Sequence, residues 1–97
     1  MKQILTNLDK AFENRIRLGI MSGLMVNEQM DFNSLKELLD VSDGNLASHL
    51  KGLEKMEYIE VRKKFVGRKP NTSYFATLKG QAAFENHLKA LEQLLKL

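Results

Sequence analysis

Cationic side chains are concentrated in one short stretch of this chain, residues 62–69, which holds five lysines and arginines and no acidic residue. A local excess of positive charge is what binding to a polyanion requires. Acidic side chains are concentrated elsewhere, because residues 28–43 carry five of them against a single base, Lys36. The net charge of +3 therefore understates an asymmetry that predicts contact with phosphates. A solvated charged loop would have the same composition, and this interpretation stays open.

A second group of side chains suited to nucleic acid lies on one face of a predicted helix. Leu46, Leu50 and Leu53 recur at i, i+4 and i+7 and form its apolar stripe. The opposite face carries small, polar and cationic residues: Gly44, Ser48, Lys51 and Lys55, flanked by Asn45 and Gly52. Lysine contacts guanine edges or phosphates, asparagine suits adenine, and serine suits either. An ordinary polar helix face would look the same, but the position of these residues in a helix-turn-helix pattern favours nucleic acid.

Catalytic and metal-binding constellations are missing from the sequence. The chain has no cysteine, and its two histidines, His49 and His87, lack the companion ligands or the i+4 partner of a metal site on a helix. There is also no nucleophile with a base and no phosphate-binding loop. We therefore expect neither an enzyme nor a cofactor. His49 lies beside the leucine stripe, so we expect it to pack between helices or to contact phosphate.

Two short helices around a tight turn are predicted over residues 34–57. Asn33 or Ser34 is expected to cap the first helix, since either side chain can accept a hydrogen bond from an amide of the first turn. Glu37 would complete a capping box with Ser34. Ser42 is expected to cap the second helix. The residues of the first helix that should face the core are Leu35, Leu38 and Leu39.

A β-hairpin is predicted over residues 58–76, because the apolar period changes there to two. Glycine, proline and asparagine indicate a turn at residues 66–72, and the second strand is expected at 73–76. Arg68 and Lys69 would then lie at the tip of the hairpin. A basic tip of this kind meets phosphates or enters the minor groove.

The predicted fold class is α+β, mainly α: one winged helix-turn-helix domain, residues 1–97, with an amphipathic helix at each end. The N-terminal pattern fits one helix bent near Asn14 or two in succession. Thr77 should cap the last helix, whose leucines form a heptad seam. Segments 1–13 and 79–97 exceed what a three-helix core needs, so we expect pairing with a second copy, although folding back onto the domain would also cover them. The expected dimer interface comprises Leu5, Leu8, Phe12, Phe84, Leu88, Leu91 and Leu95.

Several segments of the chain carry a recognisable pattern: NRIRLGIMSGL, SDGNL, HLKGLE, GRKPNT and TLKG. Together they resemble a bacterial and archaeal family of small winged-helix transcriptional regulators, related to the MarR and ArsR types, over residues 14–85. Two positions depart from the pattern of that family. Ala76 stands where a leucine is usual, and Leu78 stands where a polar residue is usual. Both lie at the junction of the sheet and the last helix, so they affect packing there rather than the DNA-binding surface.

This resemblance implies a DNA-binding transcriptional regulator, usually a homodimer through terminal helices, with a recognition helix at residues 43–57 and a wing at 62–72. We expect sequence-specific binding of double-stranded DNA. The contacts expected from the recognition helix are Ser42, Asp43, Gly44, Asn45, Ser48, His49, Lys51 and Lys55. Those expected from the wing are Arg62, Lys64, Arg68, Lys69, Asn71 and Thr72.

Two other functions are compatible with the sequence. One is a protein–protein assembly module, since a fold does not fix a function, although five wing cations argue against it. The other is a regulator with a small-molecule effector in a cleft lined by Phe12, Met21, Met25 and Tyr74, although core packing explains these residues and no ligand can be named. No apolar stretch approaches the length of a membrane span and no signal peptide is visible, so we expect a cytoplasmic protein.

Overall fold

A helix-turn-helix followed by a hairpin is present in the computed structural model, which describes residues 1–97. The elements are α1 (Lys2–Thr6), a 3₁₀ turn (Lys10–Phe12), α2 (Arg15–Val26), β1 (Met30–Asp31), α3 (Phe32–Leu39), α4 (Asp43–Lys55), β2 (Ile59–Val66), β3 (Lys69–Ala76) and α5 (Leu78–Leu95). The fold class predicted from the sequence, α+β and mainly α, is confirmed.

The N-terminal region contains separate helices rather than one bent helix. Asn14 divides them, because its side chain accepts hydrogen bonds from the amides of Ile16 and Arg17, at 2.9 and 3.1 Å, and so caps α2. Asp9 caps the 3₁₀ turn in the same way, through the amide of Ala11 at 2.9 Å. The chain therefore changes direction between α1 and α2, and α1 packs against α5.

The first helix of the helix-turn-helix begins earlier than the sequence predicted. Asp31, not Asn33 or Ser34, is its cap, since the Asp31 carboxylate accepts a hydrogen bond from the amide of Ser34 at 2.8 Å. The predicted capping box with Glu37 is therefore wrong, because Asp31, extended at the end of β1, already holds the first-turn amide. Leu38 is also misassigned: it is 57% exposed and does not face the core.

The turn and the start of α4 agree with the prediction. Asp40 ends α3 in the left-handed conformation, with φ 51° and ψ 58°. Ser42 then caps α4, and its hydroxyl accepts a hydrogen bond from the amide of Asn45 at 3.2 Å. Close packing of α3 on α2 depends on Gly19, where a Cβ would lie 2.5 Å from a methyl group of Leu39.

The hairpin turns more tightly than the sequence predicted. Only Gly67 and Arg68 lie between the strands, and Gly67 has φ +66°, so the expected turn over residues 66–72 is wrong and β3 begins at Lys69. Pro70 lies within β3, opposite Phe65. A proline is tolerated there because the antiparallel sheet has the order β1-β3-β2 and β1 pairs only with the far end of β3.

Phe12 lies at the centre of an aromatic cluster that joins the N-terminal segment to α5 and to Tyr58, the residue before β2. Its ring stacks on Tyr58 at 5.5 Å and meets Phe84 and His87 edge to face at 5.2 and 5.4 Å. Asp9 completes the cluster, because its carboxylate accepts the Tyr58 hydroxyl at 2.7 Å and its amide donates to Nδ1 of His87 at 3.0 Å. The hydrogen bond to Asp9, followed by burial, raises the pKa of Tyr58 to about 12.

The aromatic cluster corrects two residues of the expected dimer interface. Phe12 and Phe84 are only 2% and 3% exposed, so both belong to the core of a single chain. The inward face of α5 consists of Gly80, Phe84, His87 and Ala90. The rest of the expected seam, Leu88, Leu91 and Leu95, lies on the outward side, where Leu95 is 87% exposed.

The predicted cap of α5 is confirmed, and it brings the helix close to the chain at Tyr58. Thr77 accepts a hydrogen bond from the amide of Gly80 at 2.9 Å, and its hydroxyl donates to the carbonyl of Glu57 at 2.6 Å. The Thr77 amide donates to the Tyr58 carbonyl at 3.0 Å. A Cβ at Gly80 would overlap this same carbonyl, so only glycine fits at position 80.

Replacing Gly80 with alanine should therefore destabilise the protein, because a backbone carbonyl cannot move aside as a flexible side chain can. We expect Gly80→Ala to lower the free energy of unfolding by about 1–3 kcal/mol. Gly44→Ala is the matched control: nothing lies within 4 Å of a Cβ there, and helix propensity should raise stability by up to about 1 kcal/mol. Urea denaturation measures both variants. Equal stability of Gly80→Ala and the parent would contradict the close approach.

Candidate nucleic-acid interface

α4 turns a polar face to solvent, as its sequence predicted. Leu46, Leu50 and Leu53 are buried in the core on its inner side. The outer side has no large apolar side chain, and its exposed residues include Ser42, Asp43, Gly44, Asn45, Ser48, Lys51 and Lys55. With 13 residues and this composition, the helix has the dimensions and the hydrogen-bonding groups that fit a DNA major groove.

Two residues at the start of α4 already have partners within the chain. The hydroxyl of Ser42 is engaged in the helix cap, and the carboxylate of Asp43 lies 2.7 Å from the ammonium group of Lys36. Both charges of this pair are largely exposed, so it adds little to stability. It does offset the negative charge of Asp43 at the N-terminal end of α4.

His49 is the one predicted contact of α4 that is half-buried, and its partner comes from α2. Nε of Arg17 donates a hydrogen bond to Nδ1 of His49 at 3.0 Å. Burial, and then the charge of Arg17, lower the pKa of His49 below its ordinary value, so the ring is neutral near pH 7. The guanidinium of Arg17 lies against Gly52, where a Cβ would overlap it.

The hairpin holds the predicted wing residues on two faces and a tip. Paired residues of β2 and β3 share a face, so Arg62, Lys64, Lys69 and Asn71 lie on the side away from the core, while Thr72 lies opposite Lys63 on the other. Arg68 occupies the two-residue loop. All five cations of residues 62–69 are exposed.

The wing cations have few partners inside the protein. Arg62 lies 4.2 Å above the ring of Phe75 and 3.9 Å from a carboxylate oxygen of Glu60. No carboxylate lies within 4.0 Å of the other four, which are Lys63, Lys64, Arg68 and Lys69. The hairpin thus carries four exposed cations without a carboxylate partner in the chain.

Three of the four residues considered for an effector cleft are buried in the core of this chain. Phe12, Met21 and Tyr74 belong to the buried core cluster. Met25 is half-buried at a cavity of about 340 Å³ between α2, β3 and α5, whose other lining residues include Leu24, Phe75, Ala76 and Gln81.

No three His, Asp or Glu side chains come together as a metal site would require. None of the helices has both the length and the apolar character needed to cross a bilayer.

Arg17, Lys36 and Lys63 lie near this surface and were not among the expected contacts. Lys63 was part of the cationic stretch, so the sequence contained a signal for it. Arg17 had no such signal, because only the tertiary structure brings it onto α4.

A helix-turn-helix whose second helix exposes a polar face, followed by a basic hairpin, defines a protein of the winged-helix DNA-binding class. Comparison with known families agrees with this geometry. The chain belongs to the winged helix DNA-binding domain family, whose model matches residues 16–95.

Individual relatives are similar over nearly the whole chain. An uncharacterized protein of Methanocaldococcus jannaschii is 38% identical over 87 residues, which are 90% of this chain and 95% of that protein. The structure of a transcriptional regulator homologue from Pyrococcus horikoshii OT3 has a TM-score of 0.85 and 27% identity, covering 98% of this chain and 92% of that one. A putative MarR-family transcriptional regulator from Enterococcus faecalis V583 has a TM-score of 0.74 and 22% identity, covering 98% and 81%. The family and the fold indicate a DNA-binding regulator rather than an enzyme.

Proposed function

We propose that this protein is a sequence-specific regulator of transcription that binds double-stranded DNA with α4 in the major groove and the wing on the neighbouring backbone or minor groove. The observation that carries the proposal is the pairing of two surfaces: the polar outer face of α4, and a hairpin with four cations that lack a carboxylate partner. Holding like charges together without partners costs free energy through repulsion, and phosphates would relieve it.

The two surfaces have different tasks in this proposal. Asn45 and Ser48 read base edges, because asparagine pairs with adenine and serine suits either a donor or an acceptor. Lys51 and Lys55 contact guanine edges or phosphates further along α4. The wing contacts phosphates, which position the protein but carry no sequence information directly. The wing residues assigned to this task are Arg62, Lys64, Arg68, Lys69, Asn71 and Thr72.

A homodimer completes the proposed function. The exposed leucines Leu5, Leu88, Leu91 and Leu95 lie on α1 and α5, which pack against each other. Exposed apolar surface of this kind is stabilised when a second copy covers it. A two-fold dimer would present two α4 helices to half-sites about one DNA turn, or roughly 34 Å, apart. In this proposal residues 34–76 recognise the bases and bind the phosphates, and the terminal helices form the dimer.

Selection of bound duplexes from a random DNA library, with the purified protein, tests the whole proposal. A palindromic consensus would support both sequence specificity and a two-fold dimer. If no duplex is enriched, a winged helix that assembles with other proteins becomes the better account. Salt dependence separates the two directly, because DNA affinity falls with log[salt] at a slope of about −0.9 for each phosphate neutralised, whereas apolar protein contacts hardly respond.

Substitutions on the two surfaces should affect DNA binding differently. Arg68→Ala and Lys69→Ala should weaken binding about equally for every duplex, because they remove phosphate contacts. Asn45→Ala and Ser48→Ala should instead change the preference between duplexes, by about 1–3 kcal/mol at the affected base pair. Lys89→Ala, which removes an exposed cation from α5, is the control and should leave both properties unchanged. Fluorescence anisotropy with the selected duplex and a scrambled one measures these effects.

Replacing Leu88 and Leu91 together with glutamate should produce monomers, because buried charges would oppose the proposed leucine contact. Sedimentation equilibrium measures the mass. Leu78→Glu is the control, since Leu78 is exposed at the other end of α5, outside the proposed interface, and its dimer should persist. An unchanged mass in the double variant would refute pairing through this face of α5.

A further inference from the structure

The hydrogen bond between Arg17 and His49 joins α2 to α4, and both residues are half-buried. Its geometry is specific: Nε of Arg17 donates to Nδ1 of His49 at 3.0 Å, and the rest of the guanidinium lies over Gly52. His49 and Gly52 belong to one row of α4 with Asn45, at i, i+4 and i+7. This row is adjacent to the reading row of Gly44, Ser48, Lys51 and Lys55.

The hydrogen bond determines which nitrogen of His49 carries the proton. Nδ1 accepts from Arg17, so it has no proton, and the neutral ring must carry its proton on Nε2. The lowered pKa of His49 is consistent with this neutral form. Nε2 is therefore a hydrogen-bond donor on the flank of α4.

The terminal amino groups of Arg17 are also free donors. No carboxylate lies within 4.0 Å of Arg17, and its only side-chain hydrogen bond is the one from Nε. No buried side-chain nitrogen or oxygen lacks a partner, so these amino groups are in contact with solvent. A guanidinium with two unused donors matches the geometry of a phosphate.

We propose that Arg17 and His49 together form a binding site for one backbone phosphate of the DNA duplex, on the flank of the reading face of α4. Arg17 supplies the charge and two donors, and His49 supplies the Nε2 proton. Gly52 leaves room for the guanidinium because it has no side chain. This proposal rests on the proposed DNA-binding function, to which it adds an anchor outside the wing.

Salt dependence of duplex binding tests the site. Arg17→Met keeps an unbranched aliphatic side chain over Gly52 but removes the charge and the donors. We expect its affinity to fall about ten-fold at low salt and the slope against log[salt] to become shallower by about 0.9, the value for one phosphate. Arg15→Met is the matched control: it removes the same charge from the same helix, but Arg15 lies at a cavity with Leu38, Leu39 and Asp40, away from Gly52. Its slope should equal that of the parent.

Two further variants separate binding from structure. Gly52→Ala displaces only the flexible end of Arg17, so the fold should be retained while duplex affinity falls. His49→Gln keeps an N–H donor and should bind more tightly than His49→Phe. Thermal unfolding confirms that each variant is folded before its affinity is compared.

NMR of the histidine nitrogens gives a readout that affinity alone does not. In the parent, Nδ1 of His49 should be unprotonated and Nε2 protonated, and in Arg17→Met the pKa of His49 should rise, because a cation that lowers it is gone. Duplex should shift the His49 signals. Inorganic phosphate at millimolar concentration should not, and a shift with phosphate alone would indicate a site for a free anion instead.

The outcomes distinguish this site from the general proposal. If the parent binds no duplex, DNA binding itself is wrong. Suppose instead that the parent binds with a salt-dependent affinity, and that Arg17→Met and Arg15→Met have the same slope against log[salt]. DNA binding by the wing and α4 is then retained as a proposal, and the phosphate site at Arg17 is refuted. A proton on Nδ1 of His49 in the parent would also refute it.

Discussion

Contacts around one residue, Tyr58, fix how the parts of this protein are oriented. Its ring stacks on Phe12, its hydroxyl donates to Asp9, and its carbonyl accepts the amide of Thr77 and excludes any side chain at Gly80. The N-terminal segment, the start of β2 and the first turn of α5 therefore meet at one point. Tyr58 follows α4 by only a few residues, so the same junction also fixes the position of the C-terminal end of α4.

Local signals in the sequence predicted the parts of the structure that depend on local contacts. Ser42 and Thr77 cap their helices as expected, because the amide that each side chain accepts lies three residues away. The cap of α3 was missed because Asp31 is held extended by pairing with Ser73, which is distant in sequence. The tight hairpin was missed for a similar reason: Pro70 signals a turn, yet it fits a strand whose neighbour β1 stops short.

The terminal helices show what a periodic pattern leaves undecided. Phe84 belongs to two stripes of α5, one that continues through Leu88 and Leu91 and one that continues through His87 and Ala90. The heptad spacing favours the more apolar stripe as the dimer seam. In the structure the second stripe faces inward, because Phe12 and the amide of Asp9 provide a ring and a donor that His87 can contact. The hydrogen bond between Arg17 and His49 was likewise beyond the sequence, since the two residues are 32 positions apart.

The limited length of β1 has a mechanical consequence for the hairpin. β1 pairs with β3 only at Tyr74 and Ser73, so everything beyond these residues is a ribbon of two strands with no third neighbour. Two-stranded ribbons twist more strongly than wider sheets, and an isolated hairpin is only marginally stable in water. The outer part of the ribbon is therefore the compliant part of the molecule and bends at lower energy than the helices. In the proposed complex with DNA, a compliant ribbon beside α4 would tolerate variation in groove width without changing the position of α4 on the bases.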